Sequence, residues 1–101
     1  MKDKKFTTKC YELLMLIPLG RVTTYSEIAK KLETRAHRAV GRAMKENKNA
    51  PRVPCHRVVK SNGDVGEYNL GRAEKIKILT KEGIKIKDNK ILNFKEKLYK
   101  F

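Results

Sequence analysis

Residues 24–46, with the sequence TYSEIAKKLETRAHRAVGRAMKE, decide the fold of this chain. Thr24 and Glu27 have the spacing of a capping box, in which each side chain satisfies a free backbone amide. A first helix is expected over residues 25 to about 32, and a second over residues 35 to about 46. A short helix, a tight turn and a second helix together indicate a helix-turn-helix. The residues of the first helix expected to face inward are Ile28, Ala29 and Leu32.

The second of these helices combines small and basic residues. Val40, Ala43 and Met44 have the spacing of a core-facing stripe. Small residues allow a helix to approach a duplex closely, and basic side chains can reach phosphates. The helix is therefore either a DNA-contacting surface or an ordinary solvated helix. The small residues are Ala36, Ala39 and Gly41, and the basic ones are Arg35, Arg38, Arg42 and Lys45.

A helix is also expected before this motif, over residues 7 to about 16, ended by Pro18 and Gly20. Its apolar face includes Cys10, which we assign to the core. A further helix is expected over residues 72–81, ended at Glu82-Gly83, with Ala73, Ile76 and Leu79 inward.

Between these helices, Asn62-Gly63 predicts a β-hairpin that joins Val58-Val59 to Val65. The tail after Gly83 fits either a small strand or a frayed basic end. The expected fold is a single domain over residues 1–101, mostly α with a small β-hairpin.

The net charge of the chain indicates the class of partner that it binds. The chain carries 25 Lys and Arg against 11 Asp and Glu, a net charge of +14. Such a surplus favours binding to nucleic acid, although a lysine-rich, thermophile-like surface would look similar. No segment has the roughly 18 apolar residues of a membrane span, and no signal peptide is visible in residues 1–5. We expect a cytoplasmic monomer with no cofactor and no metal site, since Cys10 and Cys55 lack zinc-ligand spacing.

The stretch Pro54-Cys55-His56-Arg57-Val58-Val59 carries the candidate chemistry. A thiolate is a nucleophile, and a neighbouring cation or hydrogen-bonded His raises the thiolate fraction of a cysteine. Cys55 is therefore a candidate nucleophile with His56 beside it. Taken alone, the same cysteine also fits a small buried hydrophobe.

A set of motifs in a fixed order resembles one family. The chain is similar to the C-terminal DNA-binding and catalytic domain of O6-alkylguanine-DNA alkyltransferases, over about residues 6–86, without the family's N-terminal domain. The resemblance implies a winged-helix-like helix-turn-helix fold and a stoichiometric DNA repair protein. The motifs are Gly20-Arg21-Val22-Thr23-Thr24-Tyr25, Arg38-Ala39-Val40-Gly41, Ala43-Met44, Asn47, Pro54-Cys55-His56-Arg57-Val58-Val59, Gly63, Gly66, Tyr68, Gly71, Lys75 and Glu82-Gly83.

The resemblance also implies residue roles. An O6-alkylguanine flipped out of double-stranded DNA would lose its alkyl group, chiefly methyl, to Cys55. His56 would take the thiol proton through a water, Glu82 would orient His56, and Asn47 would brace the turn. Tyr25 would donate to the flipped base, and Arg38 would fill the gap in the stack. The substrate would also contact the backbone of Cys55 and Val58, Tyr68 and the amide near Asn69. A minor-groove surface would comprise Thr24, Arg35, Ala36, Ala39, Arg42 and Lys45.

The loop after the predicted hairpin departs from the family pattern. Glu67 and Leu70 stand where the family usually has glycines. Leu70 at the pocket wall would narrow it and favour methyl over benzyl adducts, while Glu67 would bring a negative charge to the pocket. Two other functions remain open at this point. One is an alkyltransferase-like module that binds the lesion without transfer, although such proteins typically have Trp at the cysteine position. The other is a plain helix-turn-helix regulator.

Overall fold

Five short α-helices and two two-stranded sheets make up residues 5–101, the part of the chain that the computed structural model describes. The predicted mostly helical fold with a small β component is confirmed. Four of the five residues examined for a signal peptide, residues 1–4, lie outside the described part. The elements are α1 (Phe6–Leu14), β1 (Thr23–Thr24), α2 (Tyr25–Lys31), α3 (His37–Lys45), a single 3-10 turn (Cys55–Arg57), β2 (Val58–Val59), α4 (Arg72–Lys81), β3 (Ile86–Lys87), β4 (Lys90–Ile91) and α5 (Phe94–Lys97).

The helix-turn-helix consists of α2 and α3, which pack on each other. The Thr24 hydroxyl accepts a hydrogen bond from the Glu27 amide at 3.0 Å, so α2 begins as predicted. The third helix begins two residues later than expected, because Arg35 and Ala36 belong to the preceding turn. The Thr34 hydroxyl accepts from the Ala36 amide at 3.1 Å and holds this turn outside the helix.

The predicted ends of the other helices differ little from the structure. α1 ends at Leu14 rather than Leu16, since the amides of Leu16 and Ile17 bond three residues back in a tighter turn. α4 has its predicted bounds, and Gly83 follows it with φ +92°, a conformation that glycine adopts without strain.

The hairpin is not where the sequence predicted it. β2 pairs in parallel with β1, in the register Thr23↔Val58 and Thr24↔Val59. A turn does form at Gly63, but the Val65 amide bonds to the Asn89 carbonyl at 2.9 Å instead of to β2. The antiparallel hairpin is β3–β4 in the tail. Its two connecting residues, Asp88 and Asn89, both have the left-handed φ that a tight hairpin turn requires.

Two apolar clusters lie on opposite sides of β2. Val58 packs with α1, α2 and α3, whereas Val59 packs with the α4 side, because successive strand side chains point in opposite directions. Cys10, Val40, Ala43 and Met44 belong to the first cluster, as predicted. The second cluster contains Val22, Val59, Val65, Leu79, Ile84 and Ile91.

The inward-facing residues of α4 were predicted less well than its bounds. Leu79 is buried and Ile76 partly buried, as expected, but Ala73 is exposed. Lys75 is fully buried in its place. An ammonium group at an inward position cannot be inferred from hydrophobic spacing, because its partners come from distant parts of the chain.

The tail is ordered against β1. The Val22 amide bonds to the Lys97 carbonyl at 2.9 Å, and the Tyr99 amide bonds to the Val22 carbonyl at 2.6 Å. The side chains of Arg21 and Thr23 add bonds to carbonyls of residues 97–99. Of the two options left open by the sequence, the structure therefore shows a packed tail. No helix in residues 5–101 has the length and apolar character needed to cross a membrane.

Candidate active site

A cavity of about 720 Å³ opens between the helix-turn-helix and the loop before α4. It collects side chains from α2, α3, the 3-10 turn and the loop, which are far apart in the sequence. Six residues predicted for the site lie on its wall: Tyr25, Arg38, Lys45, Cys55, Tyr68 and Asn69.

Cys55 begins the 3-10 turn, and only 4% of it is exposed. The segment before it is held by Asn47, whose Nδ2 donates to the Val53 carbonyl at 2.8 Å. The Asn47 Oδ1 accepts from the Asn49 backbone amide at 3.0 Å, so both polar atoms of the buried Asn47 side chain form hydrogen bonds. Asn47 therefore braces the backbone that presents the thiol.

The thiol is not activated at rest. Burial raises the pKa of Cys55 above its ordinary value, while a hydrogen bond from Asn47 and the charge of Lys75 act in the opposite direction. The expectation of a raised thiolate fraction is therefore wrong for the free protein, because desolvation outweighs the neighbouring cations. Cys55 needs a base to remove its proton before it can act as a nucleophile.

His56 lies next to that thiol and is paired with Glu82. The His56 Nε2 lies 2.9 Å from the Glu82 Oε2. Arg57 holds the same carboxylate with two hydrogen bonds, from Nε to Oε1 and from Nη2 to Oε2, both at 2.9 Å. Burial lowers the pKa of His56, so the ring is neutral at pH 7, and its buried Nδ1 has no protein partner within the described residues.

Two tyrosines keep their protons at this site. The pKa of Tyr25 is raised by burial, then by the charges of Cys55 and Glu67. Burial raises the pKa of Tyr68 to about 12, and its ring meets the His56 ring edge to face with 6.3 Å between centroids. Both hydroxyls are therefore donors at neutral pH.

The position of Leu70 in the pocket loop, residues 66–71, contradicts one prediction. Leu70 is 57% exposed and is not on the cavity wall, because it lies in the turn that precedes Gly71 and the start of α4. The steric argument for methyl over benzyl adducts is therefore wrong. Glu67 does line the cavity, and its carboxylate is paired with Arg72. Asn69 donates to the carbonyls of Met44 and Asn47, which ties the loop to the end of α3.

The predicted DNA surface is mostly exposed. Arg35, Ala36, Arg42 and Lys45 are exposed and Ala39 is partly exposed, all on or beside α3. Thr24 differs, since it is only 3% exposed and its hydroxyl caps α2. Thr24 therefore has little surface to offer DNA, and its predicted DNA contact is corrected to a structural role.

Sequence inspection did not single out every residue of the site. His37, Gly41, Met44 and Lys60 also line the cavity. Lys75 was noted only as part of the family pattern, yet its Nζ donates to the Val58 carbonyl at 2.7 Å. That carbonyl is also the predicted acceptor for the base, and a carbonyl oxygen can accept two hydrogen bonds. Val58 itself does not line the cavity. No cluster of three His, Cys, Asp or Glu side chains suited to a metal occurs within residues 5–101.

A helix-turn-helix with a cysteine on the wall of an adjoining cavity defines a DNA-binding domain with a candidate nucleophile. The chain belongs to the family described as 6-O-methylguanine DNA methyltransferase, DNA binding domain, whose model matches residues 5–84. A methylated-DNA–protein-cysteine methyltransferase of Thermococcus gammatolerans is 49% identical over 81 residues, covering 79% of this chain and 45% of that protein. Across several curated relatives, the chain spans 28% to 56% of their length.

Solved structures agree with this family. The O6-methylguanine-DNA methyltransferase of Pyrococcus kodakaraensis is 45% identical, with a TM-score of 0.74 over 80% of this chain and 47% of that one. Atl1 of S. pombe, in complex with damaged DNA containing O6-carboxymethylguanine, is 33% identical with a TM-score of 0.83. That match covers 100% of both chains, so it includes the packed tail.

Proposed function

We propose that this chain repairs double-stranded DNA by taking the O6-alkyl group of guanine onto Cys55 in a single irreversible transfer. The observation that carries the proposal is the thiol of Cys55 on the wall of a cavity it shares with Tyr25 and Arg38. The exposed basic face of α3 beside that cavity supports DNA binding, as does similarity to proteins crystallised with DNA.

The base must leave the duplex to reach this thiol. Flipping costs a few kcal/mol and costs least for a poorly paired, damaged base. Arg38 lies exposed in the first turn of α3 at the cavity edge, where its side chain would occupy the gap left in the stack. α3 would lie in the minor groove, where Ala36 and Ala39 allow close approach.

The transfer then needs one bond to form and one to break. The Cys55 sulfur bonds to the alkyl carbon as the carbon–O6 bond breaks, and the electron pair of that bond passes to guanine. His56 takes the thiol proton through a water at Nδ1, while Glu82 holds Nε2. Tyr25 donates its hydroxyl hydrogen bond to the base and helps guanine leave. The thioether is stable, so each molecule acts once.

A second candidate function is lesion binding without transfer, and the full-length match to Atl1 favours it. Cys55 argues for transfer, since a binding module needs no buried thiol beside a His–Glu pair. A plain helix-turn-helix regulator would need neither the cavity nor that pair.

Intact mass spectrometry separates these functions. The protein is incubated with duplex DNA containing O6-methylguanine, and a gain of one methyl group per molecule is expected. Cys55→Ala should show no gain, and Cys10→Ala should show the full gain because Cys10 is buried in the core. An unchanged mass with retained lesion binding would identify the non-transferring module instead.

A further inference from the structure

Lys75 is the largest fully buried side chain of the described protein, with 0% exposure. It lies on α4, and its Nζ donates to the Val58 carbonyl at 2.7 Å and to the Glu67 carbonyl at 2.9 Å. Among the described residues no carboxylate forms an ion pair with it, so the hydrogen-bond partners of the buried ammonium are neutral carbonyl oxygens. Burying a charge without an ion partner is costly, which indicates a purpose other than packing.

The two carbonyls identify what the ammonium holds together. Val58 begins β2, directly after the 3-10 turn that carries Cys55, and Glu67 belongs to the pocket loop. Gly66 lies beside the Lys75 Nζ and has φ +74°, a left-handed conformation that glycine adopts without strain. Lys75 therefore connects the pocket loop, which lines the cavity, to the start of β2, three residues after Cys55.

The charge of Lys75 also acts on Cys55. It lowers the pKa of the thiol against the effect of burial, and burial in turn lowers the pKa of Lys75 to about 8. Among the effects that raise the pKa of Lys75 against burial, the charge of Cys55 is the largest. Such an interaction is reciprocal, because each charge stabilises the other by the same free energy.

We propose that Lys75 is a positioning residue that fixes the pocket loop to β2 and stabilises the Cys55 thiolate by its charge. Its importance for repair rests on the proposed function, but its effect on the thiol is a property of the free protein. The other titratable or charged groups around it are His56 in the 3-10 turn, Lys60 and Asp64 in the Gly63 turn, Glu67 in the pocket loop and Arg72 on α4.

The first test uses the wild-type protein without DNA and follows alkylation of Cys55 by iodoacetamide between pH 6 and 10. In this reaction a sulfur–carbon bond forms, the carbon–iodine bond breaks and iodide leaves, so the rate reports the thiolate. The rate should rise with pH as the thiolate fraction grows, but by less than tenfold per pH unit just above pH 8, where Lys75 loses its proton and no longer stabilises the thiolate. A uniform tenfold rise per pH unit across this range, with no break in slope, would overturn the proposal. Peptide mapping separates Cys55 from Cys10, which burial makes unreactive.

The second test uses variants in the same assay. Lys75→Gln removes the charge and should slow alkylation at pH 7 by about tenfold, the equivalent of one unit in the thiol pKa. Lys75→Arg keeps the charge and should stay closer to wild type. Lys77→Gln removes an exposed charge from the same helix and should leave the rate unchanged. Equal rates for Lys75→Gln and Lys77→Gln would contradict the charge effect.

Neither measurement involves DNA, so the outcomes remain distinct from those for alkyl transfer. A break near pH 8 without methyl gain from DNA would support Lys75 and reject the proposed transfer. Methyl gain from DNA without the break near pH 8 would support the proposed transfer and reject the charge effect of Lys75.

Discussion

At the scale of single residues, burial controls the chemistry of the site. It raises the pKa of the Cys55 thiol and lowers that of the His56 ring, so the free protein holds a neutral thiol beside a neutral base. The Glu82 carboxylate supports the protonated ring that would form when the thiol proton leaves. Because Arg57 also bonds to both oxygens of Glu82, the orientation of the carboxylate is fixed before substrate arrives.

The buried His56 ring predicts a loss of stability in mild acid. Because burial lowers its pKa in the folded state, the unfolded chain takes up a proton first as the pH falls below about 6.5. The free energy of unfolding should therefore be highest above pH 6.5 and decrease toward pH 5, by at most about 1.4 kcal/mol per pH unit. Denaturant unfolding at several pH values measures this slope.

The matched variants are His56→Gln and His37→Gln. The first should flatten the slope between pH 6.5 and 5, and the second should keep it, since His37 is exposed. An unchanged slope in His56→Gln would contradict a depressed pKa at this ring.

Arg38 and Arg42 allow base flipping to be separated from DNA binding. Both are exposed on α3, but only Arg38 lines the cavity. Arg38→Ala should slow methyl transfer by at least about tenfold while DNA affinity changes little, because unstacking a base costs a few kcal/mol. Arg42→Ala should weaken binding to all sequences and lower the salt slope by about 1. Single-turnover transfer rates and salt titrations measure the two effects, and parallel losses in both variants would argue against intercalation.

At the scale of elements, capping residues determine how the helix-turn-helix is built. Thr24 connects three features, since it ends β1, caps α2 and leads into Tyr25 at the cavity. A change at the cap therefore affects both the stability of α2 and the position of Tyr25.

Thr24→Ala should lower the free energy of unfolding by about 1 kcal/mol, because the Glu27 amide loses its acceptor. Thermal unfolding monitored by circular dichroism measures the change. Thr8→Ala is the control, since Thr8 is exposed within α1, and its effect should stay within about 0.5 kcal/mol. Equal melting temperatures for the two variants would mean that the cap contributes nothing.

The sequence predicted local features well and long-range pairing poorly. The bounds of α4, the cap at Thr24 and the core position of Cys10 follow from spacing within a few residues. The parallel pairing of β2 with β1 joins residues 35 positions apart, and no local pattern specifies it. Asn62-Gly63 forms its turn, but Val65 takes a partner from the tail.

Some features of the candidate site were predicted from the sequence, and others depend on long-range contacts. The family resemblance placed Tyr25, Arg38, Cys55 and Asn69 on one cavity, and the structure brings them together. The outward position of Leu70 and the buried bonds of Lys75 depend on how the pocket loop meets α4. Composition and periodicity hold no information about that contact.

At the scale of the whole molecule, the tail completes the fold beyond the family match. Residues 97–99 lie along Val22, on the other side of the β1 segment from β2. The Arg21 side chain donates to the Lys97 carbonyl at 3.1 Å and to the Leu98 carbonyl at 2.7 Å. This packing covers backbone groups that would otherwise form an unpaired edge beside the helix-turn-helix.

Deletion of residues 98–101 should therefore destabilise the entire domain. The Val22 carbonyl and the Thr23 hydroxyl lose their partners on Tyr99, and Arg21 loses the Leu98 carbonyl. Each buried group left unpaired costs about 1–3 kcal/mol, so a total loss of about 3 kcal/mol or more is expected in denaturant unfolding. Deletion of residues 100–101 alone keeps these hydrogen bonds and removes the ring pair of Tyr99 with Phe101 and the packing of Phe101 against the first apolar cluster, for a smaller loss of about 1–2 kcal/mol. If both deletions unfold at the same denaturant concentration, the hydrogen bonds of residues 98–99 do not stabilise the domain, and its stability comes from the two apolar clusters alone.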